Sequence, residues 1–123
     1  MWRTDRQKQD LAVHDIELSR IRELVSERLR GGRPTLESVA VQLRVSPRTL
    51  QQRLADQHLS HSQLVKQVRL TKACHLLPRK HIQIADVARQ TGFASASTFS
   101  RAFQSWTGTS PRAFRLGLFV TRF

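Results

Sequence analysis

At 123 residues, 39% of them hydrophobic, the chain has room for one domain or two small units and not for a large core. Its formal net charge is +12, and its single cysteine excludes an internal disulfide and fits a reducing, cytoplasmic setting. No apolar run approaches the roughly 20 residues of a membrane span, and the opening Met1-Trp2-Arg3-Thr4-Asp5 lacks the apolar stretch of a secretory signal.

Residues 1–16 are polar and aperiodic, the pattern of a flexible arm or linker. Leu18, Ile21, Leu24, Val25 and Leu29 recur at helical spacing, which predicts a first helix from about 17 to 30, ended by Gly31-Gly32 and Pro34. Thr35 is placed to cap a second helix with Leu36, Val39, Ala40 and Leu43 on its apolar face. Ser46-Pro47 supplies a capping oxygen and a first-turn proline for a third helix, 47–56, whose Leu50 and Leu54 face inward. Residues 61–77 carry the longest helical pattern, a rod of about 26 Å at 1.5 Å per residue, terminated by Pro78. A fifth helix spans about 84–90 and ends at Gly92. Ser95 caps a sixth, 96–106, with Phe99, Phe103 and Trp106 on its buried face, and Ser110-Pro111 opens a last short helix carrying Phe114. Nothing alternates with period two, so the class is all-α. The expected units are 17–60, a linker helix 61–77, and 78–117, with 118–123 as a tail.

One pattern occurs twice. Leu36, Val39, Ala40 and Val45 recur 48 residues later as Ile84, Val87, Ala88 and Phe93; Ser46, Leu50 and Leu54 recur 49 residues later as Ser95, Phe99 and Phe103. Each copy reads as helix, tight turn, capped helix: a helix-turn-helix. Both copies lie in the basic part of the chain. Residues 1–37 sum to +1, whereas residues 38–123 sum to +11 and contain only two acids, Asp56 and Asp86. That imbalance implies a polyanionic partner, since neutralising phosphates releases condensed counterions. An acidic membrane surface would need a long basic amphipathic segment with exposed aromatics, which is absent.

The second half resembles the signature of the AraC/XylS family of bacterial transcription regulators. The matching residues are Ile84-x-x-Val87-Ala88, Gly92-Phe93, Ser95-x-Ser97-x-Phe99-Ser100-Arg101-Ala102-Phe103, Trp106-x-Gly108 and Ser110-Pro111-x-x-Phe114-Arg115. The first half is similar to the family's first helix-turn-helix and to its linker helix through Arg69, Ala73 and Leu76-Leu77, so the resemblance spans roughly residues 18–117. It implies about seven helices, in two helix-turn-helix subdomains joined by a rigid linker, with both recognition helices in adjacent major-groove segments of duplex DNA. Three positions depart from the family pattern: Arg44 stands where Gly92 stands in the second copy, Gln83 is a weak cap for the fifth helix, and Pro78 directly follows the linker.

Base reading requires side chains with paired donors and acceptors, such as Arg toward guanine and Gln toward adenine. Helix three offers Arg48, Thr49, Gln51 and Gln52. By the repeat and the resemblance, helix six offers Ala96, Ser97, Thr98, Ser100 and Arg101. Helix three therefore carries most of the expected hydrogen bonding, and helix six contributes Arg101, hydroxyls and an apolar contact from Ala96. Phosphate partners are expected at Thr35 and Ile84, where helix N-termini offer free N–H groups, and at Arg79, Lys80 and Arg112.

The aromatics Phe93, Phe99, Phe103, Trp106 and Phe114 could form a stacking platform for single strands, but their spacing on one face fits core packing better. His58 with His61, and Cys74 with His75, lack the partners of a zinc site, so no metal and no cofactor is expected. No catalytic constellation stands out. The reading is a sequence-specific DNA-binding regulator, an activator by family analogy, nucleoid-associated, with RNA polymerase as an implied partner. It would be the C-terminal part of a larger protein, or else a small standalone member of the family. This chain would bind as a monomer, with any dimerisation supplied by a missing N-terminal domain. The alternative from a different class is a sequence-neutral architectural DNA binder.

Overall fold

The computed structural model describes the backbone of residues 5–31 and 33–118, with side chains from residue 17 onward. Among the described residues there are seven helices and no strand: α1 Asp5–Leu29, α2 Leu36–Leu43, α3 Pro47–Asp56, α4 His61–Leu76, α5 Ile84–Gln90, α6 Ala96–Thr107 and α7 Pro111–Arg115. The all-α expectation holds. The first helix begins much earlier than its apolar stripe: residues 5–16, expected as an arm, are helical. That stretch contains neither Gly nor Pro, so no residue in it interrupts helical hydrogen bonding. Residues 1–4 of the expected arm and 119–123 of the expected tail lie outside the described residues.

Two cores divide the chain. The first gathers Ile21, Leu24, Val25 and Leu29 of α1 with Val39, Ala40, Leu50 and Leu54 of α2 and α3. The second gathers Val87, Ala88, Phe99, Phe103 and Phe114. α4 serves both: Leu64 and Val68 enter the first core, Ala73 and Leu76 the second. Each fully buried Leu or Phe contributes about 1.5–3 kcal/mol, so the 16-residue helix is held at both ends by separate hydrophobic contacts. The second core is aromatic, with ring centroids 5.7 Å apart for Phe99–Phe103 and 5.5 Å for Phe103–Phe114. Phe93 and Trp106 are only half-buried at its margin, so the expectation that Trp106 lies on the buried face is met in part.

The repeat is preserved in the backbone. Val45 N–H donates to Ala40 O at 3.1 Å, and Phe93 N–H to Ala88 O at 2.9 Å; Arg44 N–H reaches Val41 O and Gly92 N–H reaches Arg89 O, both at 3.1 Å. Arg44 takes the left-handed conformation with φ 57°, as Gly92 does with φ 88°. For a residue with a Cβ this costs about 1–2 kcal/mol, which the turn's closing hydrogen bonds offset. Ser46 accepts from Thr49 N–H at 3.0 Å and Ser95 from Thr98 N–H at 3.1 Å. Thr35 and Ser110 cap α2 and α7 likewise, and Gln83 makes no side-chain cap, as expected. Ser60 and Gln63 form a reciprocal capping box on α4.

The two units are joined by more than α4. A Cβ on Gly92 would stand 2.9 Å from the Leu29 carbonyl oxygen, so the turn of the second unit abuts the end of α1. The Arg69 guanidinium lies 5.0 Å over the Phe93 ring and Lys66 Nζ lies 5.7 Å over Trp106. At the other end of the second unit, Arg115 donates to Leu77 O at 2.6 Å and to the Ile82 carbonyl, pinning the α4–α5 loop.

Candidate nucleic-acid interface

The second helix of each unit is where a helix-turn-helix meets a groove. On α3, the core takes Leu50 and Leu54 and leaves Arg48, Gln51, Gln52 and Arg53 exposed. On α6, Phe99 and Phe103 are buried, Ser97, Thr98 and Arg101 are exposed, and Ala96 and Ser100 are half-buried. Of the residues expected to read bases, Arg48, Gln51, Gln52, Ser97, Thr98 and Arg101 are exposed on two helices with equivalent turns, and Thr49, Ala96 and Ser100 are half-buried.

Their local bonding separates them. Arg48, Gln51 and Arg101 make no side-chain hydrogen bond among the described residues that would compete with a base. Gln52 donates from its amide to Asp56 Oδ1 at 3.1 Å, and Arg53 is ion-paired to Glu17 of α1. Thr49 accepts from the Ser46 hydroxyl at 2.8 Å, and Thr98 shares a 2.9 Å bond with Ser95. These two threonines stand 49 positions apart, and both steady the cap of a recognition helix. The Ser-x-x-Thr spacing in both copies was the signal for this second role, which sequence reasoning missed.

The expected phosphate partners lie in three places. Thr35 stands exposed at the start of α2, its oxygen accepting from Ser38 N–H at 3.1 Å. Arg79 and Lys80 are exposed in the loop between α4 and α5, and Arg112 is exposed on α7. Ile84 is half-buried at the start of α5, packed against the second core. Acids share both helix starts, Glu37 in α2 and Asp86 in α5, and Asp86 is ion-paired to Arg89. Arg115, which a charge count would place with the other cations, is instead committed to backbone carbonyls.

Among the described residues no group of three or more His, Cys, Asp or Glu side chains could hold a metal ion. His61 bonds through Nε2 to the Pro34 carbonyl, and its Nδ1 is buried without a partner. Cys74 is half-buried rather than fully buried, and burial pushes its thiol above the ordinary value. No described helix is long and apolar enough to cross a membrane.

Two capped helix-turn-helix units sharing one helix define a tandem helix-turn-helix protein. A family model described as a helix-turn-helix domain matches residues 39–117, from within α2 through α7. The chain belongs to the AraC-type helix-turn-helix family. It is 31% identical over 107 residues to the transcriptional regulator VqsM of Pseudomonas aeruginosa, an alignment covering 85% of this chain and 33% of that protein. It is 29% identical over 83 residues to the transcriptional activator FapR of Escherichia coli, covering 68% of this chain and 32% of that one. The chain thus spans about a third of the length of these relatives. A crystal structure of a DNA-binding transcriptional dual regulator from Escherichia coli K-12 superposes with TM-score 0.74 at 26% identity, over 82% of this chain and 90% of that one.

Proposed function

We propose that the chain is the DNA-binding part of a transcription regulator that sets α3 and α6 into adjacent major-groove segments of one duplex. The observation that carries this is the duplicated turn: equivalent hydrogen bonds and caps present an exposed polar face on both α3 and α6. Arg48 and Gln51 on α3 and Arg101 on α6 have free donors suited to guanine and adenine edges. Gln52 must first release Asp56, and Thr49 and Thr98 act mainly by holding the helix starts. Ser97, Ser100 and Ala96 offer hydroxyl and methyl contacts, and Thr35, Arg79, Lys80, Arg112 and the start of α5 at Ile84 take the flanking backbone. The two reading units lie in residues 17–60 and 78–117, so a monomer would suffice for an asymmetric site. Activation is the direction suggested by FapR, with RNA polymerase contact and any dimerisation belonging to the whole regulator.

The test is a competition titration on a duplex selected from random sequence. Gln51→Ala and Arg101→Ala should each cost about 1–3 kcal/mol of binding to the selected duplex and leave affinity for scrambled DNA nearly unchanged. Unchanged discrimination would remove these residues from the reading role. Equal losses on both DNAs would favour a sequence-neutral architectural binder.

A further inference from the structure

Between the two units lies a groove to which the exposed residues named above on α3 and α6 do not contribute. Arg33 and Thr35 border it from the start of α2, Ser62, Lys66 and Arg69 from α4, and Trp106 from α6. No acidic residue lines it. The ion pairs among the described residues are Arg20–Glu23, Arg53–Glu17 and Arg89–Asp86, so Arg33, Lys66 and Arg69 have no carboxylate partner there. Arg69 Nε is buried with no hydrogen-bond acceptor. Burial pulls the half-buried Arg69 guanidinium below its ordinary value. The Phe93 ring offsets part of the cost of that burial through cation–π contact with Arg69, while Trp106 faces Lys66; neither ring supplies an oxygen acceptor.

A concave site with three unneutralised cations and two hydroxyls is complementary to an oxyanion. We propose that this groove is a phosphate site that takes a backbone oxygen of the DNA segment lying between the two major-groove contacts. The proposal rests on the DNA-binding reading above and adds to it a point of contact shared by both units. Arg33 and Thr35 belong to the first unit and Trp106 to the second, so one phosphate held here ties both recognition helices to the same stretch of strand. Free inorganic phosphate has the same chemistry and serves as the probe without DNA.

The chain has two tryptophans, so a Trp2→Phe variant leaves Trp106 as the only one. Titrating inorganic phosphate into this DNA-free protein should give a saturable fluorescence change that chloride at equal ionic strength does not give. Adding Arg33→Gln and Lys66→Gln, both at exposed positions, should abolish the change while circular dichroism shows the helices retained. On the selected duplex, the same pair of substitutions should lower the slope of log affinity against log salt by about one. Arg20→Gln, which removes an exposed cation already paired with Glu23, should leave that slope unchanged. Absence of a saturable phosphate response would overturn the site, whatever the protein does with DNA. A phosphate response with an unaltered salt slope would overturn the DNA backbone as its occupant. Loss of sequence discrimination in the unmodified chain would refute the wider reading and leave the phosphate titration standing.

Discussion

Gly92→Ala and Gly108→Ala form a matched pair that measures how tightly the two units are pressed together. Both glycines have positive φ, 88° and 76°, so a Cβ at either position costs about 1–2 kcal/mol of backbone strain. The alanine also restricts the unfolded chain, a gain of about 0.4–1 kcal/mol that is common to both variants and cancels between them. The surroundings differ. Nothing lies within 4 Å of a Cβ on Gly108, whereas a Cβ on Gly92 meets the Leu29 carbonyl oxygen at 2.9 Å. That oxygen is backbone at the end of α1 and cannot swing aside like a side-chain tip. The turn or the helix must move, at the ~1–3 kcal/mol typical of overpacking. Urea unfolding followed by circular dichroism should therefore show Gly92→Ala less stable than Gly108→Ala by about 1–3 kcal/mol. With slopes of about 1–3 kcal/mol per molar urea, that is a readily measured difference in midpoint. Equal losses for the two variants would refute the contact between the second turn and α1.

Arg115→Met should cost about 2–3 kcal/mol, because it strips a charged donor from the carbonyls of Leu77 and Ile82 while keeping most of the side-chain volume. Thermal unfolding checks it, and an unchanged midpoint would place the α4–α5 loop under other control. The Cys74 thiol, raised by burial, holds less thiolate at pH 8 than a free thiol does. Its alkylation by iodoacetamide should be slower than that of glutathione at pH 8 and should gain on it as pH rises further. Equal rates at pH 8 would contradict the burial effect.

Much of the fold was legible because its signals are local. Thr35, Ser46, Ser95 and Ser110 announce helix starts by chemistry that involves only the next three residues, and each is a cap in the structure. The repeat was legible because equivalent cores demand equivalent spacing. Helix α1 was under-read because apolar periodicity reports an amphipathic face and not backbone state, and a polar stretch without Gly or Pro can still be helical. The left-handed His58, with φ 59°, carried no glycine to mark it. The capping box of Ser60 and Gln63 was present in the sequence and simply passed over. The contacts between units were not legible at all. Arg69 over Phe93 and Gly92 against Leu29 join residues distant in sequence, and only the packing of α4 against both cores brings them together. In the candidate interface, residue type located the outward helix faces. It could not tell that the Gln52 amide is engaged by Asp56 while Gln51 is free.

The central claim is that two fixed helices read one duplex in tandem, and a footprint on the selected duplex in the presence of excess competitor DNA tests it most directly. The account predicts protection of about two helical turns, with each turn lost separately when Gln51 or Arg101 is replaced. Protection of a single turn, or a diffuse pattern that competitor erases as readily as it erases binding to scrambled DNA, would contradict it.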